Sequence, residues 1–469
     1  MSRVTFVVAA AALFAACLPP SHPKPKAAPP DPLAAHALED GPHKAAVAAQ
    51  VQPFIDGEIA QGIVIGLYDA GKVEIYGFGK GPNGKPPDGT TLFEIGSVTK
   101  VYTALLLADA TQRREVELDG PLAELMPPGV TVPTVDRQSI TLKMLALHTS
   151  GLPRIPPRIQ PRLDGPDPYA GYSEDFLLRD LIAAKLGAVP GSTITYSEWG
   201  YGILGYALGK KLGGDLAKVI TDRLLAPLGL KSTYFVVPPD VAARRAVGTN
   251  DDLAQARSWS WDALAGAGAM VSDAQDQLRL IDAELDAAAG GQTTLRHALK
   301  LTQEQQTDGT TTNGANETLG WQIDHLGRFW HNGSTGGFHA FVGFDTKSRR
   351  GVVILSSTAT TLVDRLANSM YDVMDGTPAA PPHFPTADQL TPLVGTYDFS
   401  GQQLRVTQKG RHLYVEGPGE PPHRLSPLSD HEFWVEAIEA VCLFEAHDGK
   451  ITAMHFNVGG RDMSAARVN

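Results

Sequence analysis

Cysteine is almost absent from this chain of 469 residues: only Cys17 and Cys442 occur, the first inside an N-terminal leader. That scarcity excludes a disulfide framework and a cysteine-rich zinc site. Positive charge is also in short supply. Lys and Arg number 40 against 51 Asp and Glu, a formal net charge of −11, and no basic stripe gathers along the chain. A polyanion binder needs such a stripe, so nucleic acid is not an expected partner. HExxH and GxSxG are both missing. A GxGxxG does occur at Gly79, Gly81 and Gly84, but it encloses Pro82-Asn83 and runs into Lys85-Pro86-Pro87. Those residues make turns, not the start of a phosphate-cradling helix. What is present suits folded domains. Hydrophobic residues at 43% and charged residues at 19% can fill sizeable cores, and the length suggests about three domains.

The leader carries Arg3 and an apolar run from Val4 to Ala16, too short to span a hydrocarbon core of roughly 30 Å and suited to a signal peptide. It ends in Phe14-Ala15-Ala16-Cys17, which resembles the lipobox of bacterial lipoproteins. Cys17 would then be lipidated and become the mature N-terminus. The competing reading is an ordinary secretion signal with an incidental cysteine. Residues 18–39 follow as a Pro-rich tether. The expectation is an exported, periplasmic protein, held to the outer membrane by a lipid anchor at Cys17.

Residues 62–79 read as two strands around the Asp69-Ala70-Gly71 turn, and residues 97 to about 115 as an amphipathic helix carrying Val101, Leu105 and Ala108. Helical stretches are expected near 141–148, 174–186, 199–212, 214–226 and 272–300, with strands again at 328–331 and 338–357. A second Pro-rich break spans 376–390. Beyond it, residues 391–469 alternate like a small barrel or sandwich. A catalytic module at 40–375 would therefore have strands at both ends and helices between them.

Ser97-Val98-Thr99-Lys100 is a Ser-x-x-Lys opening a helix, so the hydroxyl and the amine share one face. A serine needs an adjacent base, which a lysine of depressed pKa can be. A second match at Ser21 lies among prolines and can form no helix.

Phe93–Lys100 resembles the nucleophile motif of the serine β-lactamase/penicillin-binding-protein superfamily, in its class C-like branch. Thr141–Pro153, Pro190–Tyr201, Gly266–Ser272 and His331–Phe338 resemble further segments of that branch in the same order. The segment opening Leu393-Val394-Gly395 resembles a lipocalin-like appendage. The resemblance implies an α/β (α+β) β-lactamase/transpeptidase-like fold: an antiparallel sheet built from the chain's two ends and flanked by helices, an all-helical subdomain and a cleft between. It implies Ser97 as acylated nucleophile, with Lys100 and Tyr196 sharing acid and base duty and a nearby ammonium lowering the phenol's pKa. The backbone N–H groups of Ser97 and Ser334 would form the oxyanion hole, Gly333 would permit close approach, and His331 would replace the Lys of Lys-Thr-Gly. No metal or organic cofactor is implied. The partner would be a small-molecule or peptide substrate.

Some residues have plainer readings. Tyr196 could simply pack, and His331 could only hydrogen-bond. His339 reads as strand packing, His148 as a turn and cap element, Trp199 and Trp321 as core, and Cys442 as a buried apolar thiol. One position departs from the pattern: Glu198 stands where the branch has Asn. A carboxylate can accept but not donate, so an acylamino substrate would lose a donor there. It should also raise the Lys100 pKa, hold the amine protonated and shift the base role toward Tyr196. Glu198 would then recognise a cationic group, or accompany a drift toward simple esters or toward loss of activity. Arg154, Arg158 and Arg162 lie in a Pro-rich loop that reads either as a cationic lid or as a solvated connection. The expected activity is acyl-enzyme hydrolysis of an ester, amide or D-amino-acid peptide with weak or no β-lactamase activity. The alternatives are a catalytically inactive cell-envelope binding lipoprotein, and a tethered structural lipoprotein acting through residues 391–469.

Overall fold

The structure, a computed structural model, describes residues 37–38, 40–163, 165–290, 293–306, 316–435, 438, 440–458 and 461–468. The leader, Cys17 and almost all of the tether lie outside the described residues.

Asp69 and Lys72 close a hairpin between strands Gly62–Asp69 and Lys72–Gly79, with Ala70 and Gly71 at φ 48° and 94°. Glycine takes this left-handed conformation at no steric cost. The first of these strands then pairs antiparallel with Arg350–Ser356, nearly three hundred residues downstream, from Ile63↔Ser356 to Asp69↔Arg350. His339–Asp345, Phe329–Ser334, Gln322–Ile323 and Asn316–Glu317 complete that side of the sheet, while Ala37–Leu38 adds a parallel edge beyond the hairpin. The chain's two ends thus build one sheet, and helices cover both faces. Alternation along Gly62–Asp69 follows from this arrangement. Val64 and Tyr68 join the large core, whereas Ile63, Ile65 and Leu67 face a second core against helices Lys44–Asp56 and Arg365–Met374. A strand covered on both sides reads as a continuous apolar run.

Helix Thr99–Gln112 is buried all round from Thr99 to Ala110, not amphipathic as its spacing suggested. An all-round apolar helix belongs in the centre of a core. The 272–300 stretch resolves into Ala274–Ala288 and Thr294–Thr302, and the 214–226 stretch is interrupted by a π-helical turn at Thr221–Leu225.

Eight strands from Gly395–Phe399 to Arg461–Arg467 close a separate antiparallel barrel around its own core of Tyr397, Leu413, Phe433 and Phe444. His423–Pro427, Ala440–His447 and Arg461–Arg467 are among the eight, so the alternating segment is a closed barrel and not a sandwich. Cys442 is fully buried in this core as a free thiol. Before the barrel, Phe384 packs edge-on against Phe54 at 4.9 Å, which fixes the linker to the preceding domain.

Candidate active site

Ser97 sits in a single 3-10 turn, Gly96–Val98, that feeds directly into the Thr99–Gln112 helix. The turn is held by contact with the end of the Phe329–Ser334 strand. Gly96 has φ 47°, and a Cβ there would lie 2.7–2.9 Å from the Ser334 backbone. A Cβ on Gly333 would fall 2.2 Å from the Ile95 carbonyl oxygen and 2.4 Å from the Ser97 nitrogen. Both positions require glycine. Neither loop nor strand could approach so closely with side chains between them.

The edge of that strand is open where it passes Ser97. Of that strand only Phe329 and Trp330 pair with Gln322–Ile323, so among the described residues His331 to Ser334 have no strand partner on that side. On the other side Ser334 lies opposite His339, while the next residue, Thr335, donates its N–H to the Phe338 carbonyl at 3.0 Å. Antiparallel ladders alternate bonded and non-bonded pairs, so Ser334 and His339 form a non-bonded pair and the Ser334 N–H faces the open edge. The Ser97 nitrogen lies against Gly333, the residue before Ser334, so the two backbone N–H groups are neighbours at this edge. An oxyanion hole needs this kind of pair.

Lys100 Nζ lies 2.8 Å from Ser97 Oγ and 2.8 Å from the Ala267 carbonyl oxygen. Its side chain is fully buried, and the cost of burying a cation lowers its pKa to about 7 against an opposing pull from Glu198. Near neutrality a substantial share of the amine is uncharged and can take the serine proton. Tyr196 is hydrogen-bonded to Ser97, and its ring centroid stands 4.9 Å from Lys100 Nζ. Burial, then Glu198, raise its phenol well above the usual range. Two sequence expectations are corrected here. Glu198 does push the Lys100 pKa upward, but desolvation outweighs it and the lysine is not held protonated. The phenol is raised rather than lowered, because burial of a phenolate dominates. The geometry favours Lys100 as base, with Tyr196 as a neutral phenol that relays a proton.

Glu198 opens helix Glu198–Leu212 and is buried. Its carboxylate accepts a bond from the Tyr169 hydroxyl and lies 3.6 Å from Arg154 Nη2. The carboxylate at the branch's Asn position thus already has protein partners. Arg154 also lies over the Tyr196 ring at 5.5 Å. The other two loop arginines point elsewhere: Arg158 pairs with Asp180 at 3.1 Å, and Arg162 donates to the Ala170 carbonyl at 2.8 Å. The loop brings one cation to the cleft, not three.

His331 donates from Nδ1 to the Asn332 carbonyl at 2.6 Å, since a carbonyl can only accept. Burial and the nearby Lys100 push its pKa down to about 3, so it is a neutral ring with a bare Nε2. His148 was read as a turn element. Its backbone does turn, at φ 58°, but its Nδ1 also accepts the Ser197 N–H at 2.9 Å, and its ring centroid lies 4.4 Å from that of Tyr196. It buttresses the phenol. His339, read as packing, links Ser334 Oγ at 2.6 Å to Asp364 Oδ1 at 2.7 Å. No spacing signal could have found that contact, because Asp364 lies in a turn beyond the next strand. Trp199 and Trp321 are core residues, fully enclosed. Among the described residues no group of three or more His, Cys, Asp or Glu could hold a metal ion.

Comparison with known proteins identifies the fold and the family. The chain is 33% identical over 186 residues to the D-alanyl-D-alanine-carboxypeptidase/endopeptidase AmpH of Escherichia coli, an alignment covering 38% of this chain and about half (47%) of that relative's length. It is 28% identical to penicillin-binding protein 4 of Amycolatopsis lactamdurans over 66% of this chain and 85% of that one. A β-lactamase/D-alanine carboxypeptidase structure from Pseudomonas syringae superposes with a TM-score of 0.62 at 22% identity, covering 72% of this chain and 100% of that one. A class C β-lactamase structure superposes equally well, at 0.62 and 22%, over 71% and 98%. The sheet, the flanking helices and the cleft are those of the class C β-lactamase fold. Residues 47–373 match the Beta-lactamase family, and the chain belongs to that family.

Proposed function

We propose that this protein is an exported serine hydrolase that works through an acyl-enzyme on an ester, an amide or a D-amino-acid peptide. One observation carries the reading: Ser97 Oγ is 2.8 Å from a buried lysine whose pKa falls to about 7. Uncharged Lys100 takes the hydroxyl proton as Oγ attacks the acyl carbon, and the N–H groups of Ser97 and Ser334 receive the oxyanion. Tyr196 gives its proton to the leaving group as it takes the serine's proton back from Lys100, so both the phenol and the amine end neutral. The leaving group departs, water enters, and the same groups run in reverse to release the acid and restore Ser97. Glu198 supports a weak β-lactamase at best, because its carboxylate offers an acylamino side chain no donor. The names of the AmpH and Pseudomonas syringae relatives favour a D-alanyl peptide among the candidate substrates. The leader supports export to the periplasm and anchoring to the outer membrane through a lipid on Cys17.

A fluorophosphonate probe tests the core of this reading. Labelling of Ser97 in the wild type, absent in Ser97→Ala and strongly slowed in Lys100→Ala, is the expected result. A folded wild type that takes no label would make the chain a binding protein instead. Nitrocefin gives the second arm: Glu198→Asn should hydrolyse it faster than the wild type, and efficient wild-type turnover would refute the role given to Glu198.

A further inference from the structure

The strand that borders the cleft carries a hydrogen-bonded array on its reverse face. Gly333 presses on Ser97 from one face, so by strand alternation Asn332 and Ser334 project from the other. Asp364, in the turn before the Arg365–Met374 helix, is bonded to both neighbours of this face. One carboxylate oxygen accepts from Asn332 Nδ2 at 2.7 Å, and the other faces His339 Nε2 at 2.7 Å. A carboxylate can only accept, so Nε2 carries its hydrogen and neutral His339 has a bare Nδ1. That bare nitrogen, 2.6 Å from Ser334 Oγ, must accept the serine's proton. Ser334 is exposed at the end of its strand, beside the edge its own N–H faces, and with its proton committed to His339 its hydroxyl presents only lone pairs there. Protonated His339 would reverse the bond. Nδ1–H would then donate into Oγ and release the hydroxyl hydrogen toward that edge.

We infer that the His339–Asp364 pair sets the hydrogen-bonding polarity of the Ser334 hydroxyl, and through it which charged group a substrate can bring beside the oxyanion hole. Neutral His339 favours an ammonium or N–H donor, and protonated His339 favours a carboxylate. The inference rests on the hydrolase reading for its kinetic consequence, not for its structural one. Among the described residues, the groups facing His339 include Asp364, Asp251 of the 249–255 loop, and uncharged Ser334 and Ser356 on the two neighbouring strands. Arg424 of the barrel faces Asp251 from beyond. Lys100 and His331 lie across the sheet.

Two phenyl esters of one acyl group, carrying a 3-carboxyl or a 3-aminomethyl substituent on the leaving group, test the inference. Titration of Lys100 affects both esters alike and cancels in their ratio of kcat/KM. In the wild type the carboxyl-to-amine ratio should rise about tenfold or more as pH falls through the His339 titration, the size of one charge-assisted hydrogen bond. Ser334→Ala keeps the backbone N–H and should give a flat ratio. Asp364→Asn is the diagnostic variant. Its amide oxygen is claimed by Asn332 Nδ2, so its NH₂ faces His339 Nε2 and forces the hydrogen onto Nδ1. That variant should hold the carboxyl-preferring ratio at every pH. Wild-type behaviour in Asp364→Asn would overturn the proposal. Long-range ¹⁵N spectra of the histidine rings give a readout independent of turnover: Nδ1 bare at high pH in the wild type and protonated in Asp364→Asn. If fluorophosphonate fails to label Ser97, the hydrolase reading falls and these spectra alone decide, a protonated wild-type Nδ1 at high pH sinking the inference.

Discussion

At the residue scale, the site depends on one cation losing its charge without losing its place. Lys100 is enclosed, donates to the Ala267 carbonyl and has its pKa lowered to about 7 by burial. Acylation should therefore rise with pH through a limb near 7 and level off above it, since only the uncharged amine takes the Ser97 proton. Glu198 opposes the downward shift, so Glu198→Asn should move the limb to lower pH; a limb that stays in place would show that the carboxylate is screened from the amine. Gly333 sets a second condition. Gly333→Ala places a methyl group 2.4 Å from the Ser97 nitrogen and must push the strand away. Loss of one oxyanion donor costs about a hundredfold or more in rate. An acylation rate within tenfold of the wild type in stopped-flow labelling would mean that the Ser334 N–H is not used. Ser97 and Lys100 were legible in sequence because they sit three apart where a helix begins, and Gly333 through the resemblance of its segment to the family's third motif. His339 and Asp364 were not, because their meeting depends on strand pairing that leaves no local pattern.

At the scale of elements, the sequence located the sheet better than the helices. Ile63 to Tyr68 could only be a buried strand, and the Ala70-Gly71 turn closed its hairpin. By contrast, 272–300 has the composition of one long helix but is broken between Ala288 and Thr294, with a Thr293 N-cap accepting from the Arg296 N–H. Glu284 is fully buried in the first of the two helices. Its carboxyl accepts from Gln303 Nε2 at 2.6 Å and from Trp321 Nε1 at 3.1 Å, so it ties both helices to the sheet's edge. Burial raises its pKa to about 8. An unfolded glutamate ionises near 4.5, so between these values the unfolded chain holds fewer protons and stability falls as pH rises. The contribution is fully present below about 4.5 and is lost by about 8, with a slope of at most about 1.4 kcal/mol per pH unit. Glu284→Gln removes this titration. Its melting temperature relative to the wild type should be more favourable at pH 9 than at pH 5; an equal difference at both would place the titrating group elsewhere.

For the whole molecule, the question is whether the barrel is a passenger. Its core is its own, closed by eight strands and shared with no sheet residue of the hydrolase domain. The sequence made the barrel legible as β structure but not strand by strand, because strands such as His423–Pro427 and Arg461–Arg467 mix basic and small residues with few apolar ones. Nothing in the sequence pattern showed where the barrel docks. Among the described residues, three of its contacts with the hydrolase domain are Leu428 packing against the second core, Arg411 Nη1 donating to the Asp56 carbonyl at 2.7 Å, and the Tyr414 hydroxyl bonding the Asp252 carboxylate. Asp252 belongs to a loop whose Thr249 N–H bonds the Gly337 and Ser357 carbonyls, next to the strands that carry Ser334 and His339. The barrel therefore props the loop behind the oxyanion strand without entering the cleft. Truncation after Pro385 keeps Phe384 in its seat against Phe54 and removes all three contacts. The shortened protein should still label at Ser97, but with a lower melting temperature for the hydrolase transition. Tyr414→Phe in the full chain should account for about 1 kcal/mol of the loss, a shift of about 1–2 °C for a domain of this size. Calorimetry of the three proteins decides the matter. If the truncated chain melts where the full chain's hydrolase transition does, the two domains are independent and the loop needs no prop. If instead it loses Ser97 labelling while remaining folded, the barrel takes part in the chemistry through the 249–255 loop.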